Sequence, residues 1–238
     1  ISISGFENIT HIFSAKIPIL KFTDFKSKIE VDFCINNVLG ARNSLLLNAY
    51  CVYDQRVLQL GRLVKHWAKH HELTGSADGY LNSYAYMLLV VFYLQQRPVP
   101  VVPNLQMLAS KPVIVVDRKW GDEDAWDTKF VEDVQSLPPS ENTQNVGELL
   151  LGFFHFFGHV FSWRCHAACI RLNQPGVAIE KSSLLQQTQE DQWYIEDPFD
   201  LKHNLAGKCT RVCRSRVIDE MRRSLAILTT SGSWQRIF

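Results

Sequence analysis

The sequence has no apolar run suited to spanning a bilayer. Its longest, Ala85–Leu94 and Leu149–Phe161, are too short or interrupted by histidine, and they read as buried helices. It has almost no net charge. Lys and Arg number 25 against 24 Asp and Glu, giving +1, so no global basic field announces nucleic acid and a polyanion must meet a local patch. It lacks a cysteine framework: six scattered thiols read as reduced, in an intracellular compartment. No secretory apolar segment opens the chain and no internal repeat runs through it. The expected location is the cytoplasm, with the mitochondrion or nucleus as alternatives. What is present is an ordinary soluble composition, 46% hydrophobic and 21% charged, on 238 residues that suit one large domain or two smaller ones.

The stretch "KIEVDFCINN" (28–37) alternates apolar residues at Ile29, Val31, Phe33 and Ile35, the period of a strand with one buried face. Glu30 and Asp32 share the other face. Aspartate is a poor strand former, so Asp32 near a strand end invites a functional reason. "KIPILKF" (16–22) reads as its partner, making 16–37 an antiparallel hairpin, while residues 1–15 are weakly patterned. The period then becomes helical. "VLGARNSLLLNAYCVYD" is one helix, and Asp54 can cap the next, Arg56–His71, whose Val57, Leu60, Leu63, Val64 and Trp67 form an apolar stripe. A loop precedes a helix from Ser83 to about Gln96. "RPVPVVPNLQ" is a connector, and 117–145 reads as a polar, acidic loop. An aromatic helix spans Asn145–Phe161, and a basic one closes the chain from Arg211 to about Leu228.

Several groups bear on chemistry, each with a bland counterpart. Lys65 and Lys69, four apart, project from one helix face and suit either a triphosphate or solvent. Ser83 is placed for an N-cap or for a phosphate at a helix start, and Tyr84 for a core or for stacking on a base. His155 and His159 with Cys165 and Cys169, and the pair Cys209 and Cys213, invite zinc. The histidines lie in a very apolar helix, however, and C-x₃-C is not the tighter spacing of common zinc folds. "GDED" (121–124), with Asp122 and Asp124, reads as a solvated loop.

Taken together, "AKIPILKF", "EVDFCINN", "ARNSLLLNAY", "LVKHWAKHH", "GYLNSYAYMLLVVFYLQ", "PVVPNLQ" and "YIEDPFDLKHN" resemble, in order and spacing, the terminal uridylyltransferases and non-canonical poly(A) polymerases, which are polymerase-β-like nucleotidyltransferases. The resemblance covers about residues 7 to 228. It implies an α+β fold, with a remnant of the nucleotidyltransferase palm sheet over 1–50, a helical central and poly(A)-polymerase-associated domain over 51–230, and a tail over 231–238. It implies that Asp32 is the third carboxylate of a metal-binding triad, holding Mg²⁺ or Mn²⁺. Asn37 and Asn43 would contact sugar and base, Lys65, Lys69 and Ser83 the triphosphate, and Tyr84 the face of the base. Asp197, Asp200 and His203 would read the base edge.

The implied chemistry is transfer of UMP from UTP to an RNA 3′-hydroxyl, one ion activating the attacking oxygen and the other steadying the leaving group. Use of ATP instead, as by a poly(A) polymerase, is the alternative. A histidine at the place of His203 goes with uridine in this family: an imidazole N–H satisfies O4 of uracil, and its bulk disfavours a purine. RNA would meet local basic surface, with Arg211, Arg214, Arg216, Arg222 and Arg223 as candidates. Nothing in the sequence names a protein partner, and no membrane partner is expected. The family's Gly-Ser…Asp-x-Asp motif does not precede Asp32, and "GSAD" (75–78) lies downstream in a loop, so two carboxylates are missing. The sequence is therefore expected to be either a fragment of a longer enzyme, inactive alone, or a non-catalytic relative that binds nucleotide, RNA or protein.

Overall fold

The computed structural model describes residues 5–13, 18–119, 122–184, 191–232 and 234–238. Three antiparallel strands open the chain, β1 (Phe6–Ile12), β2 (Ile19–Asp24) and β3 (Glu30–Cys34), in spatial order β1-β2-β3. The expected hairpin is present as β2–β3, and β1 adds a strand that the weak pattern of residues 1–15 did not announce. The expected buried face is a correction. Ile29, Phe33 and Ile35 are 60%, 50% and 67% exposed, because a single layer of three strands leaves its apolar face to solvent. Alternation told the two faces apart without telling which one is covered. On the polar face Asp32 pairs in register with Lys21.

Helix α1 (Val38–Tyr53) follows, with the Asn37 side chain accepting the Gly40 N–H at its cap. Asp54 ends α1 and caps α2 (Gln55–His70). The stripe of α2 is buried as its periodicity requires, with Val57, Leu60, Val64 and Trp67 fully enclosed. The helix ends in a paired turn: Leu73 N–H reaches Ala68 O at 2.8 Å and Glu72 N–H reaches Lys69 O at 3.1 Å. Glu72 sits at φ 54°, in the left-handed region where glycine is usual.

Helix α3 (Ser83–Gln95) is apolar all round and buried along its last eight residues, which places it at the centre of the body. Its buried amide, Gln95, donates to Tyr50 Oη at 3.0 Å and accepts from Asn173 at 2.9 Å. The proline-rich stretch 97–106, expected to be a connector throughout, instead ends in a short helix α4 (Leu105–Leu108), started where the Asn104 side chain accepts the Met107 N–H. The region expected as an acidic loop instead holds a hairpin, β4 (Ile114–Lys119) and β5 (Asp122–Asp127). Ladder bonds there override the poor strand propensity of its aspartates. Asp122 and Asp124 therefore lie on a strand, and Gly121 falls outside the described residues.

Helix α5 (Val146–His155) starts with a capping box, Asn145 with Glu148, and continues as a π-helical turn, Phe156–Val160. Helix α6 (Arg211–Ser231) packs against both. Among the described residues no helix is long and apolar enough to cross a membrane.

Candidate functional site

The segment 193–206 is built to hold a shape. Asn204 accepts from Ile195 N–H and Ala206 N–H and donates to Trp193 O, all within 3.1 Å. Asp197 Oδ1 accepts from the backbone of Phe199 and Asp200, each at 3.0 Å, closing a turn around Pro198. Beside it, Glu196 is buried under Arg171 (2.8 Å) and accepts the Cys169 thiol. This turn reaches α1 through Asn43, whose Nδ2 donates to Asp197 Oδ2 at 3.4 Å.

Three predicted residues thus converge: Asn43 from α1, Tyr84 from the first turn of α3, and Asp197 from the turn. Two of their polar atoms, Asn43 Oδ1 and Tyr84 Oη, are buried without a protein partner. A native interior rarely tolerates such orphans, and they are what a polar ligand would satisfy. Burial, and secondarily the nearby Asp197 carboxylate, raise the Tyr84 phenol well above its ordinary value, so it is a neutral donor. Burial also raises Asp197, against the lowering by its two backbone donors and by His203.

Asp200 and His203 belong to the same turn as Asp197. They line a cavity of about 740 Å³ with Gln106, Trp126, Lys129 and Arg171, between hairpin β4–β5 and the turn. His203 is exposed, and its backbone is pinned on both sides: its N–H donates to Asp200 O (2.8 Å) and its carbonyl accepts from Asp197 N–H (3.1 Å). Neither Asn43 nor Tyr84 lines this cavity, and the two groups of expected nucleotide residues meet through the turn itself, whose Asp197 contacts Asn43 and whose His203 lines the cavity. Gln106 was not foreseen as a site residue. It is buried, its Nε2 holds Pro198 O at 2.9 Å, and its Oε1 has no protein partner. The only advance signal was its place in "PVVPNLQ".

Lys65 and Lys69 are exposed on α2, opposite its buried stripe. The cap expected of Ser83 belongs to Asn82, which accepts from Ala85 N–H at 2.8 Å, and Ser83 lies exposed in the first turn. Amide acceptors cap at least as well as hydroxyls, so the neighbour took the role. Asn37 is committed to capping α1.

Asp32 lies apart on β3, 3.2 Å from Lys21 Nζ, both side chains about half exposed. Among the described residues no three His, Cys, Asp or Glu side chains gather as a metal site. One carboxylate facing an ammonium does not by itself make a two-ion centre.

The five arginines of the last helix also separate. Arg211, Arg214 and Arg222 line a groove of about 380 Å³ with Trp163 and with Asp191 and Asp219. Arg216 is engaged with Tyr80 and His71, and Arg223 with Glu220.

A small sheet bearing an outward carboxylate is thus joined to a helical body closed by an Asp-Pro-Phe turn. Residues 2–52 match the family described as "Poly(A) RNA polymerase, mitochondrial-like, central palm domain", and residues 145–203 match "Cid1 family poly A polymerase". Terminal uridylyltransferase 7 of Homo sapiens is 37% identical over 221 residues, 87% of this chain and 14% of that protein. Poly(A) RNA polymerase GLD2 of Homo sapiens is 31% identical over 206 residues, 83% of this chain and 39% of that protein. The Cid1 poly(U) polymerase with Mg 3′-dATP bound is 31% identical, with a TM-score of 0.80 over 97% of this chain and 69% of that one. The chain belongs to the family of terminal uridylyltransferases and non-canonical poly(A) polymerases. It spans 14% and 12% of the two uridylyltransferases, 7 of Homo sapiens and 4 of Mus musculus, that it matches.

Proposed function

We propose that this chain is the nucleotide-holding part of an RNA terminal uridylyltransferase that moves UMP from UTP to an RNA 3′-hydroxyl. The observation that carries this reading is the convergence of Asn43, Tyr84 and Asp197 with two orphaned polar atoms, backed by the Asp200–His203 turn. Tyr84 stacks on the base, the free Asn43 oxygen meets sugar or base, and Lys65 and Lys69 neutralise phosphate oxygens. His203 donates to O4 of uracil, and its ring disfavours a purine. A pocket that hydrogen-bonds its ligand discriminates strongly, because the wrong base leaves buried polar groups unpaired. Asp32 would hold one divalent ion, Mg²⁺ or Mn²⁺, which supplies charge stabilisation at the α-phosphate when bound. The remaining carboxylates must come from elsewhere in the protein.

The test has two arms. Calorimetry on the 238-residue chain should show UTP binding tighter than ATP, and His203→Asn should narrow that preference. In the complete enzyme the ratio of kcat/KM for UTP over ATP should fall with the same substitution. A preference for ATP, or a ratio indifferent to residue 203, would favour the poly(A) polymerase reading that the likeness to GLD2 supports. Robust primer extension by the isolated chain would overturn the need for further carboxylates.

A further inference from the structure

Lys69 is the penultimate residue of α2, one turn beyond Lys65. Helix ends fray, because their last carbonyls lack intrahelical donors. An ammonium there points reproducibly only if the turn is held from outside. Here it is held by α6 and by the segment 234–238. Trp67 Nε1 donates to Ser224 Oγ at 2.8 Å in the core, and the Ser224 hydroxyl donates to Glu220 Oε1 at 3.4 Å. His71 Nε2 lies 3.3 Å from that same oxygen and 3.0 Å from Ile237 O. Both neighbours of Nε2 are acceptors, so this nitrogen carries the proton. Arg216 donates to His71 O at 3.1 Å, and Arg223 grips Glu220 through two nitrogens. Ile237 is fully buried, and the Phe238 ring lies 5.1 Å from that of His66. The left-handed Glu72 just beyond makes this helix end one that needs support.

We propose that Glu220 is a positioning residue: through Ser224–Trp67 and through His71 it fixes the last turn of α2, and so aims Lys65 and Lys69 at the triphosphate. This rests on the phosphate role given to the lysines above. Glu220 is occupied by Arg223, Ser224 and His71. Its carboxylate ties α6 to the end of the lysine helix at His71, the residue that the closing segment also meets through Ile237 O.

The experiment measures binding of UTP and of uridine by the 238-residue chain, together with amide exchange at residues 71–73, whose N–H groups close the end of α2. Glu220→Ala should weaken UTP roughly three- to tenfold, the worth of one hydrogen-bonded junction, and leave uridine unchanged. Glu220→Gln keeps an acceptor oxygen and should restore most of the loss. In a Lys69→Ala background Glu220→Ala should cost nothing further, since coupled residues are non-additive. Unchanged UTP affinity, an equal loss for uridine, or full additivity would each overturn the proposal. If Glu220→Ala does not fold, Ser224→Ala breaks the same chain at its buried link, with the same expectations. If the unsubstituted chain fails to bind UTP, the functional reading falls and exchange decides the bracing alone. Faster exchange at 71–73 in Glu220→Ala than in Glu220→Gln supports it, and equal exchange overturns it.

Discussion

The small sheet and the helical body solve the burial problem in opposite ways. Helix α3 encloses nearly every side chain it has, whereas the apolar face of β1–β3 meets solvent through Phe6, Phe33 and Ile35. On the proposed reading the sheet carries Asp32 for a metal, and the body carries the groups for a nucleotide. Stability and nucleotide recognition would then belong to the same part of the molecule. The metal-side carboxylate would sit on a platform that contributes little to either.

The sharpest break of this contrast is Trp67→Ala. It empties a fully buried site and removes the bond to Ser224, and should cost about 3–5 kcal/mol in urea unfolding. Phe33→Ala, on the half-exposed sheet face, should cost less than about 1 kcal/mol. Similar losses at the two positions would erase the distinction.

Asp197→Asn tests whether the body trades stability for function. Burial holds the Asp197 pKa above its ordinary value of 3.8, so the folded state favours the protonated acid. That preference stabilises the fold below pH 3.8 and is lost as pH rises through the folded value. Asparagine keeps an Oδ1 for Phe199 and Asp200, and Asn43 can turn its unpartnered oxygen toward the new amide. The variant should match the parent in acid and exceed it increasingly toward neutral pH, while binding UTP more weakly. Melts across that range, with calorimetry, check both halves.

A smaller effect is expected at the end of α2. Glu72→Gly relieves a left-handed residue and should raise stability by about 0.5–1 kcal/mol in thermal unfolding. The least is expected at Asp32→Ala. An exposed ion pair with Lys21 is worth little, so unfolding should shift by no more than about 0.5 kcal/mol while transfer by the complete enzyme is abolished. A large loss of stability would make Asp32 a structural residue.

The helices were readable because their physics is local. The stripe of α2, the Asp54 cap and the all-apolar run of α3 each appear within one or two turns of sequence. Hairpin β4–β5 was not, because its aspartates and its lysine carry loop propensities and only cross-strand bonds make it a strand pair. Nor could alternation in β3 say whether its apolar face is covered. At the site, the residue types were visible through resemblance, but their grouping was not. That Asp197 faces Asn43 while His203 faces the cavity depends on a turn closed by Asp197 itself. The bracing by Glu220 joins residues about 150 apart and has no local signature.

The contact between Asn43 and Asp197 spans 154 residues of chain. At ribosomal rates of about 5–20 residues per second, Asp197 follows Asn43 by roughly 8 to 30 seconds. Throughout that interval α1 can form its own hydrogen bonds, yet Asn43 has no Asp197 to meet. The binding site is thus a late event in the life of each new molecule. A chain that stops before the Asp-Pro-Phe turn carries most of the apolar residues of the core, with Asn43 and Tyr84 in place but without Asp197 and His203, so on the proposed reading synthesis of that turn is itself a checkpoint on nucleotide capture.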